Sequence, residues 1–156
     1  MHMRLARKGV YLDVCALGRP YDDQRYHRIA VETLAVVMVI SLIKEGRYTL
    51  YYSPVHEEEL ARNSNDAERT EILKLLEIYG ISVAQLIDDF SALERRALAL
   101  FAVGFGFADA FHTANAEAIG ASLITCDDAL IRKCKQHQVA VWYGTPIDFG
   151  KKEGLL

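Results

Sequence analysis

The sequence predicts an α/β domain whose parallel sheet is covered by helices on both faces. Three observations predict it. Short apolar strand-like stretches alternate with helical stretches along the chain, the arrangement of a parallel sheet joined by crossover helices. The helices carry their own punctuation, with caps at their starts and glycines after their ends. Finally, no internal repeat, low-complexity tract or Ser/Pro-rich linker divides the 156 residues, so the pattern belongs to one unit.

The elements follow in order. Val10 to Asp13 reads as a short first strand, after which "ALGRPYDDQ" breaks into a loop. About His27 to Lys44 is a helix ended by Gly46, and Tyr48 to Ser53 is a tyrosine-rich second strand. Ser53-Pro54 starts a helix, serine as cap and proline at the first position, running to about Asn63. Another runs from Asn65 or Asp66 to Tyr79 and closes at Gly80. Ile81 to Leu86 is the expected third strand. "SALE" at Ser91 to Glu94 has the form of a capping box opening a helix to about Val103. After "GFGF", Asp109 begins a helix ending at Gly120, with Ala110, Ala114 and Ala118 as a small-residue stripe. Ser122 to Thr125 is the fourth strand, Asp128 to Gln136 a helix, and Val139 to Trp142 the fifth strand. Asp22 and Asp23 read as loop solvation or as caps of the helix that follows.

Composition narrows the functional classes. At 51% apolar and 25% charged residues, the chain has enough material for one well-packed domain, 1–156, with its core at about 10–149. The longest apolar run, Ile29 to Ile43, is interrupted by Glu32, Thr33 and Ser41 and falls short of the roughly 20 residues of a bilayer span. The opening "MHMRLARKG" leads into a strand, not into the apolar stretch of an export signal. Cys15, Cys126 and Cys134 show no metal-ligand spacing and leave an odd thiol, which predicts a reducing cytoplasm and small buried side chains. His2, His27, His56, His112 and His137 are likewise not spaced as ligands. The formal charge of -3 argues against coating nucleic acid by bulk charge. Arg4/Arg7/Lys8, Arg25/Arg28, Arg132/Lys133/Lys135 and Lys151/Lys152 still form basic clusters, either solvated surface or phosphate contacts.

The carboxylates carry the chemistry. In open parallel sheets the site lies beyond the carboxyl ends of the strands, where the strand order reverses. Asp13 and Asp127 stand at such ends. Each acid has a plain structural reading too: Asp13 as a turn cap, Asp109 as a helix cap, Asp127 or Asp128 as the cap of the helix they open. Glu57, Glu58 and Glu59 lie early in a helix. At about 100° per residue, Glu59 falls roughly 30° from the inward face set by Val55 and Leu60, while Glu57 and Glu58 lie about 130° away. An inward glutamate needs a partner, and no Lys or Arg shares its face, so the partner is a metal ion or another segment of chain. Asp13, Glu59, Asp109 and Asp127 together form an all-oxygen acidic set, which suits Mg²⁺ or Mn²⁺ and not zinc. Such clusters activate water and stabilise charge on a phosphoryl group, which makes phosphodiester hydrolysis the leading chemistry.

Taken together, these segments resemble the PIN-domain family, especially its VapC-like toxin ribonucleases. "YLDVCAL" resembles the first family strand with its aspartate, Asp13. "SPVHEEEL" resembles the serine, helical lead and Glu-Leu pair, giving Glu59. "FADAFHTANAEAIGASLIT" resembles the Asp-Ala-hydrophobic-His helix and following strand, giving Asp109; "TCDDAL" matches Thr-x-Asp, giving Asp127, and "GTPIDF" resembles a common family ending. The resemblance implies a PIN-like three-layer α/β/α fold with a central five-stranded parallel sheet, first and fourth strands adjacent. It implies that Asp13, Glu59, Asp109 and Asp127 hold one or two Mg²⁺ or Mn²⁺ ions to cleave RNA, and that Thr125 orients an acidic neighbour. It also implies a place in a type II toxin-antitoxin pair, with an antitoxin as partner.

Two departures bear on activity. Many family members place Thr, Ser or Asn directly after the first aspartate, where Val14 and Cys15 stand here. Asp128 adds a carboxylate, as cap or ligand, while Arg19 and Arg25 meet either a phosphate or the acidic cluster. Two other readings compete. A haloacid-dehalogenase-like phosphatase also begins with an aspartate after a strand, but needs a second aspartate where Cys15 stands. A catalytically weak PIN-like module that binds RNA or protein would explain the missing polar residue. The apolar helix from about His27 to Lys44 predicts a homodimer or an antitoxin surface.

Overall fold

The computed structural model describes residues 7–156, so Arg4 of the first basic cluster and His2 lie outside the described residues. Five strands form one sheet: β1 (Lys8–Leu12), β2 (Tyr48–Tyr52), β3 (Gly80–Ser82), β4 (Ser122–Ile124) and β5 (Tyr143–Gly144). All pairings are parallel and the order is β3-β2-β1-β4-β5. The chain therefore builds outward from β1 on one side, then returns to its other side. Leu12 pairs with Ile124 at the reversal, and Asp13 N–H extends the ladder to Ile124 O at 3.2 Å.

Among the described residues eight α-helices cover the sheet: α1 (Val14–Leu17), α2 (His27–Lys44), α3 (Pro54–Ala61), α4 (Asp66–Tyr79), α5 (Phe90–Ala102), α6 (Phe107–Ile119), α7 (Asp128–Gln136) and α8 (Pro146–Lys152). Side chains of a strand point alternately to its two faces, and β1 uses both. Val10 and Leu12 pack with Val36, Val39, Leu60, Ile72, Leu76 and Phe149 on one side. Tyr11 packs on the other with Leu100, Phe105, Ala110, Ala114 and Leu130. Two cores thus sandwich the sheet, the three-layer α/β/α arrangement of a PIN-like fold. Among the described residues, no helix is long and apolar enough to cross a membrane.

The structure matches the expected α2, α4 and α7 and revises several other elements. β3 stops at Ser82 and the chain turns into a 3-10 segment, Val83–Gln85, placing Val83 in the core. α5 begins at Phe90, because Asp89 caps it by accepting from Ala92 N–H at 3.2 Å; the Ser91–Glu94 box is not used. α6 begins at Phe107 with Gly106 as cap residue, which puts Asp109 inside the first turn. In the alanine stripe, Ala110 and Ala114 are buried but Ala118 is exposed, since each step of four residues overshoots a full turn by about 40°. Gly120 closes this helix with a left-handed φ of 67°. β5 is displaced to Tyr143–Gly144. Val139 instead folds back in a loop, its N–H on Cys134 O at 3.1 Å, and fills the core without pairing in the sheet.

Two short helices were not anticipated. α8 is capped by the Thr145 hydroxyl on Asp148 N–H at 3.1 Å and starts on Pro146. α1 follows β1 without a gap and is capped by Asp13. Of the three thiols, Cys126 and Cys134 are buried as expected, but Cys15 is exposed because it lies on the outer side of α1. Asp22 and Asp23 cap nothing: they pair with Arg19 at 2.9 Å and Arg25 at 2.7 Å, and α2 starts from Tyr26 with no side-chain cap.

Candidate active site

The strand order reverses between β1 and β4, and four carboxylates from four elements stand near enough to the carboxyl ends of these strands to feel one another's charge. Asp13 follows β1 and is 3% exposed. Its Oδ1 accepts from Ala16 N–H at 2.9 Å, and the Thr125 hydroxyl also hydrogen-bonds it. Burial, only partly offset by His112 and these two hydrogen bonds, pushes Asp13 up to about 6, with the Asp109 charge adding to the rise. Asp109 is raised as well, first by burial and then by the charges of Asp127 and Glu59 against the pull of His112 and Lys133. Beneath the larger effect of burial, these repulsions couple Asp13 to Asp109, and Asp109 to Asp127 and Glu59.

Asp127 follows β4 and caps α7, its Oδ1 accepting from Ala129 N–H at 2.9 Å and Leu130 N–H at 3.3 Å. Its own N–H donates to Thr125 Oγ1 at 3.1 Å, so this one hydroxyl links the turns after β1 and β4. Glu59 is the glutamate of α3 that faces inward, with Glu57 and Glu58 exposed, as the helical geometry requires. Its partner is another segment of chain: His112 Nε2 of α6 donates to Glu59 Oε1. Among the described residues none of the four acids is ion-paired with Lys or Arg.

Asp128, one residue on, behaves differently. Both of its oxygens are taken by Arg28, at 2.7 and 2.8 Å, so it is neither a cap nor a free ligand. Arg28 also reaches Glu32 Oε1 at 3.4 Å, and Arg19 meets the same oxygen at 3.0 Å. Arg19, Arg25 and Arg28 are thus spent on acids of this chain. The other cationic clusters are partly spent too, Lys8 and Lys152 both pairing with Glu153.

Behind the carboxylates lies a polar network that the sequence does not announce. Tyr11, fully buried, hydrogen-bonds Ser53 Oγ at 2.8 Å and His112 Nδ1 at 2.6 Å. His56 accepts from Ser53 N–H at 3.0 Å and donates Nε2–H to Leu12 O at 2.7 Å. Burial and the neighbouring His112 lower it to about 3, which keeps the ring neutral. The available signal was spacing: His112 stands three residues after Asp109, on the same side of α6, and Glu59 needed a donor.

The donor set, four carboxylates and so all oxygen, is of the kind a hard divalent cation takes. Among the described residues, however, no three His, Cys, Asp or Glu side chains draw together closely enough to hold a metal ion.

A family model described as the PIN domain matches residues 10–136. Among solved structures, FitAcB from Neisseria gonorrhoeae is similar with a TM-score of 0.53 at 14% identity, covering 88% of this chain and 97% of its own. FitAB bound to an IR36 DNA fragment is similar with a TM-score of 0.54 at 15% identity, covering 88% and 94%. At these identities the likeness speaks for the fold alone. No curated protein sequence matches the chain significantly. The family match, which runs from the middle of β1 to the end of α7 and takes in all four acids, settles the kinship: the chain belongs to the PIN-domain family, whose members are generally nucleases.

Proposed function

We propose that the chain acts as one PIN-like domain, a divalent-metal-dependent ribonuclease that hydrolyses RNA phosphodiester bonds with Asp13, Glu59, Asp109 and Asp127. The observation that supports it best is the uncompensated charge. Four acids stand near the reversal point of the sheet and, among the described residues, none is ion-paired with Arg or Lys, while the neighbouring acids Glu32 and Asp128 are paired with arginine. A fold that pairs arginines with the neighbouring acids and not with these four leaves their charge for a cation to balance. When bound, Mg²⁺ or Mn²⁺ supplies an acidified water and charge stabilisation at the phosphoryl group.

The protein's own contribution is orientation. Thr125 and Ala16 N–H hold Asp13, the start of α7 holds Asp127, and His112 holds Glu59. Asp109 alone has no hydrogen bond to its carboxylate among the described residues, and its raised affinity for protons suits it to accept one from the attacking water. The missing polar residue after Asp13 loses its weight against activity, because the backbone of α1 and Thr125 already do the orienting that Val14 and Cys15 cannot.

A toxin role with an antitoxin partner draws support from the resemblance to VapC-like toxins and from a neighbour solved as the FitAB assembly on DNA. α2 exposes Leu34 and Val37, apolar surface suited to a second copy or a partner segment. A light-scattering mass of one chain at micromolar concentration would count against the homodimer. The nuclease reading is tested by incubating purified protein with RNA and Mg²⁺ or Mn²⁺. Cleavage should stop with chelator and in Asp109→Asn; cleavage that survives both would sink the reading, since a contaminating ribonuclease explains it better.

A further inference from the structure

A hydroxyl in the middle of a central strand is costly to bury unless it is paired, and Tyr11 is paired twice. Glu59 as a carboxylate only accepts, so His112 Nε2 carries hydrogen toward it, while the Tyr11 hydroxyl, able both to donate and to accept, bridges His112 Nδ1 and Ser53 Oγ. The chain Ser53, Tyr11, His112, Glu59 crosses from the start of α3 to β1, to α6, and back to α3. Both nitrogens of His112 are engaged, the ring is 1% exposed, and it packs edge-on against His56 at 4.7 Å and Tyr11 at 5.5 Å between centroids. It has no freedom to rotate.

The end point is what gives the network meaning beyond satisfied burial. Glu59 is the one half-exposed member, with a side chain 32% accessible on a helix of eight residues. Left alone, its long side chain would sample several rotamers. His112 removes that freedom by holding Oε1, and leaves Oε2 without a partner among the described residues. α6 therefore brings one carboxylate, Asp109, and the clamp on another.

We propose that His112 is a positioning residue, locked by Tyr11 and Ser53, that fixes Glu59 through Oε1 so that Oε2 is presented to the cation. The proposal rests on Glu59 being a metal carboxylate, as read above. Outer partners of this kind typically change metal affinity by about 10- to 100-fold when removed.

The test is a titration of the intact protein with Mn²⁺ alone, followed by calorimetry, with no RNA present. His112→Leu should weaken binding by about 10-fold or more, and His112→Gln, whose amide restores a donor near Nε2, should recover most of it. Tyr11→Phe, which keeps the ring packing, should weaken binding by a smaller factor and serves if His112→Leu does not fold. In a Glu59→Gln background, His112→Leu should cost nothing further, a coupling that a merely structural role would not produce. Folded variants that bind Mn²⁺ as the wild type does, or losses that simply multiply with Glu59→Gln, overturn the proposal while leaving the metal site standing. Failure of the wild type to bind Mn²⁺ overturns both together.

Discussion

Two acidic groups stand side by side at the carboxyl edge of the sheet and are handled in opposite ways. Glu32 and Asp128 are met by Arg19 and Arg28, with Glu32 fully buried and its second oxygen, Oε2, unpartnered. Asp13, Glu59 and Asp127 are met by hydroxyl, imidazole and backbone N–H groups, and among the described residues the Asp109 carboxylate is met by none. The first group resembles a strut and the second a socket. Arginine pairing ties α2 to the segment after β4 and leaves little for a ligand; the socket keeps its charge and its repulsion, a cost that the proposed cation would relieve.

Substitutions that treat both groups alike should break this contrast if it is wrong. The largest effect is expected for Asp109→Asn, which should lower metal-dependent RNA cleavage about a thousandfold, roughly 4 kcal/mol in barrier. The same change should raise the chelator-treated protein's melting temperature, because it removes a carboxylate held under repulsion. A variant that is both inactive and less stable would make Asp109 a structural acid. Glu32→Ala should do the reverse, destabilising by about 3 kcal/mol because two arginines lose their shared acid, with cleavage per folded molecule kept. Urea unfolding and an activity assay at matched folded concentration separate these effects.

The pH dependence sharpens the comparison. Asp13 binds its proton more tightly folded, at about 6 against 3.8 in an unfolded chain, so its favourable contribution is complete below about 3.8 and disappears as pH rises through about 6. In chelator, the stability of wild type relative to Asp13→Asn should fall by up to about 3 kcal/mol between pH 4 and 7. A flat difference across urea titrations at those pH values would mean that Asp13 is not under strain. Asp128→Asn is expected to have the smallest effect, at most about 1 kcal/mol, since the pair it breaks with Arg28 is half exposed. If that change instead abolished Mn²⁺ binding, Asp128 would belong to the socket.

Helices with strong local signals were legible in the sequence. α2 and α4 begin and end where apolar periodicity, Asn65 and the closing glycines place them. What failed was the extent of β3 and β5, which pairing across the sheet decides, while the adjacency of β1 and β4 implied by the family resemblance held. Val139 to Trp142 has every local mark of a strand, yet β4 offers its bonds to Trp142 O and Gly144 O, and this register selects Tyr143–Gly144. Within the candidate site, helical geometry singled out Glu59 and strand ends singled out Asp13 and Asp127, because those arguments are local. The pairing of Glu59 with His112 and of Arg28 with Asp128 joins residues far apart in the chain, and no local rule names such partners. Tyr11 is the clearest case: as sequence it is an apolar strand residue, and only the fold gives its hydroxyl two neighbours.

The strand order has a consequence for the life of the molecule. Asp13 and Glu59 come from the portion that lays down β1 to β3; Asp109 and Asp127 arrive only with α6 and the far side of the sheet. β4 pairs with β1 across the longest sequence separation in the sheet, and such non-local contacts are slow to form. During translation the emerging chain carries half a set of acids and no socket. If the socket is what cuts RNA, as proposed, cleavage must wait until α7 has emerged and β4 has paired with β1.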